Sequence, residues 1–187
     1  MTAHTGLQPS PWIQRWAHLL PAGGTVLDVA CGSGRHLRWL AGRGFRLTGV
    51  DRDAAAVEPL RALGRIVVAD IEGGPWPFTG ETFDGVVVTN YLWRDRLADI
   101  VDAVAPGGVL LYETFATGNE TVGKPARPDF LLRPGELLQA VQGLRVVAYE
   151  DGFLDAPPRF VQRVAAVRPG ALSAAPARHA LDLPAAR

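Results

Sequence analysis

The chain has 187 residues and a mass of 20.0 kDa, with 48% hydrophobic and 20% charged residues, which fits one globular domain and excludes wholesale disorder. Nineteen basic residues balance nineteen acidic ones, which argues against a strongly electrostatic nucleic-acid or membrane binder. A single cysteine, Cys31, excludes an internal disulfide and a multi-cysteine zinc site. The first residues show no charged stretch leading into an apolar one, and no apolar run nears the ~20 residues of a membrane-spanning helix. A soluble, cytoplasmic protein is expected, with no membrane partner.

Pro11 to Leu20 places Trp12, Trp16, Leu19 and Leu20 at helical spacing behind a proline, a leading amphipathic helix. Thr25–Ala30 is the first strand. A helix follows over Ser33–Ala41, with Ser33 placed to cap it. Arg46–Val50 is the second strand, ending at Asp51. Asp53 is placed to cap a helix running through Leu63, and Arg65–Ala69 is a third strand ending at Asp70. Thr82–Thr89, with Val86, Val87 and Val88 in succession, reads as a central buried strand. Asp95–Ala105 is helical, Pro106, Gly107 and Gly108 break it, and Val109–Phe115 is the fifth strand. After a short helix over Pro134–Val141, strands at Leu144–Glu150 and Phe160–Val167 lie too close for a parallel crossover and must pair antiparallel.

Strand–helix alternation with short connections predicts an α/β, Rossmann-like, doubly wound sheet. Seven strands are expected, mostly parallel, with a C-terminal antiparallel hairpin. Residues 1–24 read as a helical lead-in and 25–168 as the body. The stretch 114–133, which lacks periodicity, reads as a lid loop, and 169–187 reads as a flexible alanine- and proline-rich tail.

The chemistry concentrates at strand ends. Gly32 and Gly34 allow a sharp turn into a helix whose first N–H groups attract an anion. Asp28 precedes that turn, Asp51 lies 23 residues further on, and Asp70 follows the third strand. In an open parallel sheet all three carboxylates should line one crevice. A dinucleotide fingerprint fails, because its third glycine is Leu37 here and Asp28 would repel a pyrophosphate. A phosphate-binding P-loop fails for want of a Lys-Ser/Thr pair. An acid before the turn suits a ligand carrying an ammonium group.

The ordered segments VLDVACGSGRHLRWL, TGVD, VVADI, FDGVVVTNYL and APGGVLLYETF resemble the motifs of class I S-adenosylmethionine-dependent methyltransferases, over about Gly24–Pro169. More finely, CGSGR, FLLRPGEL and the closing hairpin are similar to the small tellurite-resistance-type, TehB-like branch. The loop 114–133 departs from that branch. Another departure is Ala30, where many members carry glycine; alanine is small enough that no loss is expected. The resemblance implies that Asp28 and the backbone of Ala30, Gly32 and Gly34 hold the cofactor's methionine part. Asp51, beside Arg52, would accept the ribose hydroxyls. Asp70 and the Ile71 N–H would meet adenine, and Asn90 and Tyr91 would flank the sulfonium and the acceptor.

On the acceptor side, His36 either faces the crevice or lies exposed on its helix. Arg35, at the helix start, is placed to meet an anion. Of Tyr112 and Glu113, which alternate at the end of strand five, one should point inward, and Glu113, Tyr91 and His36 are the catalytic candidates. Phe115 and Phe130 in the loop suit a lid over the acceptor, whereas Trp76, Trp93 and Cys31 read as packing residues. A small-molecule acceptor (a thiol, a chalcogen oxyanion or a similar nucleophile) is favoured over nucleic acid. Methylation of RNA or protein with a docking partner, and a non-catalytic cofactor-binding module, are the rival readings.

Overall fold

Runs of valine and leucine buried on both faces are what a parallel sheet covered by helices demands. In the computed structural model, which describes residues 8–170 and 177–181, these runs form β1 (Thr25–Val29), β2 (Arg46–Asp51), β3 (Gly64–Val68), β4 (Phe83–Thr89) and β5 (Val104–Phe115). β6 (Arg145–Asp155) and β7 (Pro158–Val167) complete a seven-stranded sheet in the order β3-β2-β1-β4-β5-β7-β6. β7 alone runs against its neighbours, so the fold is the mixed, doubly wound α/β sheet expected from the sequence.

Side-chain alternation divides the core in two. Val26, Leu47, Val87, Leu111 and Ala165 face helices α1 (Pro11–Trp16), α2 (Arg35–Ala41) and α3 (Ala54–Val57). Leu27, Val29, Val86, Val88, Leu110 and Tyr112 face α4 (Leu97–Asp102) and α5 (Glu136–Ala140). α1 belongs fully to this core. Ser10 caps it by accepting the Trp12 N–H, Pro11 opens it, and Trp12, Ile13 and Trp16 are buried against the sheet.

Several boundaries differ from the sequence reading. Ser33 does not cap α2; Gly34 does, in a left-handed conformation (φ 74°) without a side-chain bond. A Cβ at Gly34 would stand 2.5 Å from Leu60 Cδ1, so α3's extension packs where only glycine fits. Asp53 does cap α3, accepting from the Ala55 and Ala56 N–H groups. The α-helix stops at Val57 and continues as a tighter 3-10 turn over Glu58–Ala62, because Pro59 has no N–H to donate back. Val104, assigned to a helix by its spacing, instead opens β5 opposite Phe83. Pro106–Gly108 then form an irregularity within that strand rather than before it. The final hairpin is tighter than its proline content suggested: pairing runs out to Asp155 opposite Pro158, with the Phe153 and Phe160 rings 4.9 Å apart across it.

Of the expected tail, residues 171–176 and 182–187 lie outside the described residues. Within 177–181 the Ala180 carbonyl is 3.0 Å from His18 Nε2. Among the described residues no helix is long and apolar enough to cross a membrane.

Candidate active site

The strand order reverses between β1 and β4, and a crevice opens beyond the C-terminal ends of the strands on either side. The turn from β1 to α2 forms its floor. Ala30 (φ 53°), Gly32 (φ 51°) and Gly34 (φ 74°) all adopt left-handed backbone there. Alanine is strained in that region, so the departure from glycine at position 30 has a cost, contrary to the expectation of none.

Asp51 fastens the turn. Its Oδ2 accepts the Gly32 N–H at 2.8 Å and its Oδ1 the Asp53 N–H at 2.9 Å. Asp51 and Asp70 line one hollow of about 250 Å³ with Ala30, Arg52, Ile71, Glu72 and Tyr91. Asp70 turns its Oδ1 to the Glu72 and Gly73 N–H groups, which hold its carboxyl below the usual range and so keep it ionised. Arg52 and Glu72 pair at 3.5 Å on the rim. Ile71 is buried, its carbonyl gripped by Arg96 Nε at 2.6 Å.

Asp28 lies beneath the turn, 1% exposed. Burial pushes its carboxyl up to about 8, with nearby Arg35 opposing and Asp51 adding to the shift. Its Oδ2 has no hydrogen-bond partner among the described residues. A buried acid with an unmet oxygen suits a cationic ligand group. Arg35 donates to Thr89 Oγ1 at 3.1 Å and, with Gly32, Ser33 and Asn90, borders a second hollow of about 230 Å³. Arg35 thus stands at the hollow beside the glycine turn and borders neither of the other two hollows.

A third hollow, about 240 Å³, lies between the β4 turn and the loop after β5, with Tyr91, Leu92, Phe115, Pro125 and Phe130 on its walls. Asn90 (φ 56°) and Tyr91 start that turn, a left-handed position that asparagine tolerates. The Tyr91 hydroxyl is buried without a partner among the described residues, and the residue borders both this hollow and the one lined by Asp51 and Asp70. Burial, then the nearby Glu72, raises its pKa, so it stays protonated.

Three acceptor-side assignments need correction. Tyr112 points into the core, and its hydroxyl donates to the Tyr91 carbonyl at 2.8 Å; it supports the turn instead of touching an acceptor. Glu113 faces the opposite side of the sheet. It accepts from Ser10 Oγ (3.0 Å) and Arg163 Nη1 (3.3 Å), with Arg159 at 3.8 Å, and it borders none of the three hollows. A carboxylate committed to these partners is not a free base. His36, 2% exposed, borders the second hollow, as the first of its two expected placements had it, but its Nε2 already receives the Ser10 N–H at 3.2 Å and is not free to take a proton.

Sequence reasoning missed Ser10 and Arg94. The Ser-Pro pair ahead of a helix signalled a cap, but not its reach to His36 and Glu113. Arg94 clamps the loop 114–133: it pairs with Glu136 (2.7 Å) and donates to the Asp129 and Leu131 carbonyls at 2.8 and 2.9 Å. Reciprocal backbone bonds from Leu132 to Phe115 and from Thr117 to Leu132 close the loop's base.

Residues 26–108 match the family model described as a methyltransferase domain. The chain is 29% identical over 165 residues to the tRNA U34 carboxymethyltransferase of Klebsiella pneumoniae subsp. pneumoniae, covering 78% of this chain and 49% of that protein. It is 33% identical over 104 residues to the malonyl-acyl-carrier-protein O-methyltransferase of Salmonella typhimurium, covering 51% and 40%. The chain thus spans about half the length, or less, of the curated relatives it matches. The crystal structure of TehB from Haemophilus influenzae superposes with a TM-score of 0.67 at 21% identity, covering 90% of this chain and 63% of that one. Motif order and the matched domain thus make residues 26–108 similar to methyltransferase domains, and the seven-stranded sheet is the fold seen in TehB.

Proposed function

We propose that this chain transfers the methyl group of S-adenosylmethionine to a small-molecule nucleophile held between the β4 turn and the loop 114–133. The observation that carries this is the meeting of two hollows at the β4 turn: Tyr91 and Glu72 border both the cavity of Asp51 and Asp70 and the aromatic one beyond it.

The cofactor supplies a methyl group already activated toward in-line displacement, so alignment and exclusion of water are the main demands on the protein. Asp51 and Asp70 offer carboxylate oxygens to the ribose hydroxyls and the adenine amino group, with Arg52 and the Ile71 N–H beside them. Asp28 answers the ammonium group and Arg35 the carboxylate of the methionine part. The backbone of Ala30, Gly32 and Gly34 allows close approach. Asn90 and the unpaired Tyr91 hydroxyl face the region where sulfur and acceptor meet. Tyr91 acts as a hydrogen-bond donor and orienter, because its proton is firmly held.

A hollow of about 240 Å³ walled by Leu92, Phe115 and Phe130 suits a compact acceptor such as a thiol or chalcogen oxyanion better than a folded macromolecule. The test is to incubate purified protein and methyl-tritiated cofactor with small thiols, selenite and total RNA in parallel. Label in a small molecule is expected. Label only in RNA would replace the small-acceptor reading, and cofactor binding without transfer to any of them would make the chain a binding module.

A further inference from the structure

We infer that His36 is a positioning residue, which holds the Asp28 carboxylate toward the cofactor's ammonium group and is itself held by Ser10 of the N-terminal segment. The inference rests on the reading above, since it assigns Asp28 to that cofactor.

The ring's state follows from its contacts. Nε2 receives the Ser10 N–H at 3.2 Å and must therefore carry its lone pair inward. Burial, reinforced by the Arg35 cation, lowers the His36 pKa to about 3, so the ring is neutral and its one proton is on Nδ1. Nδ1 faces Asp28 Oδ2 at 3.8 Å, with the two side chains 2% and 1% exposed. That distance exceeds a hydrogen bond by roughly 0.9 Å. The donor and an acceptor without a hydrogen-bond partner among the described residues thus stand across this gap from each other. A histidine present only to fill space would not need its one proton aimed at the one buried carboxylate under the glycine turn.

Ser10 extends the arrangement to a second acid. Its Oγ donates to Glu113 Oε1 at 3.0 Å, so one residue links the acid of β1, through His36, with the acid of β5. Its backbone (φ −56°, ψ 134°) is extended, the conformation that the following Pro11 favours. Order in the N-terminal segment and occupancy above Asp28 are therefore coupled through a single imidazole.

Calorimetric titration with S-adenosylhomocysteine tests this on the wild type, His36→Leu and His36→Asn. Leucine removes both ring contacts, while asparagine keeps a donor near the Nδ1 position. We expect His36→Leu to bind about tenfold more weakly or worse, and His36→Asn to recover most of that loss. Hydrogen exchange should slow at residues 10–16 on ligand binding in the wild type and not in His36→Leu. Equal affinity of His36→Leu and wild type, or equal weakness of the two variants, overturns the inference. A wild type that binds no S-adenosylhomocysteine overturns the functional reading instead. Should His36→Leu not fold, His36→Gln, which keeps only the acceptor for Ser10, replaces it. Affinity retained in His36→Asn but lost in His36→Gln supports the role, and equal affinities refute it.

Discussion

Ala30 holds a left-handed backbone that an L side chain adopts at about 1–2 kcal/mol, whereas glycine adopts it freely. Ala30→Gly gives back part of this through a more flexible unfolded chain, so a net gain of roughly 0.5–1 kcal/mol is expected in urea unfolding. Asp51 serves two purposes, and its loss should show in two measurements. Asp51→Ala should weaken cofactor binding by roughly 1.5–3 kcal/mol for each charged hydrogen bond lost. It should also lower Tm, because Gly32 and Asp53 lose their acceptor. Asp28 gives the pH dependence. Its folded-state pKa of about 8 lies above the ordinary carboxylate value of 3.8, so the folded chain binds the extra proton. The stability tied to that proton is complete below about 4 and disappears as pH rises through 8. Ligand-free Tm should therefore fall between pH 6 and 9, with a flatter slope in Asp28→Asn. Forming the carboxylate against an ammonium group should release close to one proton near pH 7, read by calorimetry in two buffers of different ionisation enthalpy.

At the scale of elements, the strands were legible because their apolar runs are short, β-branched and bounded by turn residues. The helices were less so: α3 and α4 are a turn or two long, and no periodicity marks where Pro59 converts one into a 3-10 turn or where Val104 changes from helix to strand. Asp28, Asp51 and Asp70 could be found from sequence because each stands at or near the end of its own strand. Glu113 and His36 were misjudged for a physical reason, since their partners lie 103, 50 and 26 residues away and no local pattern carries that information. The stretch 114–133 stood out by its lack of periodicity; its first two residues end β5, two 3-10 turns follow at Asn119–Thr121 and Pro128–Phe130, and its anchor, Arg94, belongs to a different segment. Arg94→Ala should free it: hydrogen exchange at Leu131 and Leu132 should accelerate while β1 stays protected, and unchanged exchange would remove Arg94 from this role.

For the whole molecule, the two core layers make the N-terminal helix part of the body. Trp12, 1% exposed, packs against Trp16 at 5.7 Å, receives Arg163 over its ring at 4.8 Å and donates Nε1–H to the Val164 carbonyl at 3.2 Å. Trp12→Ala should cost about 3–5 kcal/mol in urea unfolding, the range for a fully buried aromatic.

The placement of β7 has a consequence for how the chain is made. It is synthesised after both strands it lies between, so until Val167 has left the ribosome β5 and β6 each present an unpaired row of amides and carbonyls to their surroundings. A nascent chain stalled short of that point is a template for association with its own copies, and a chaperone's most useful grip is on the rim that this late strand will cover.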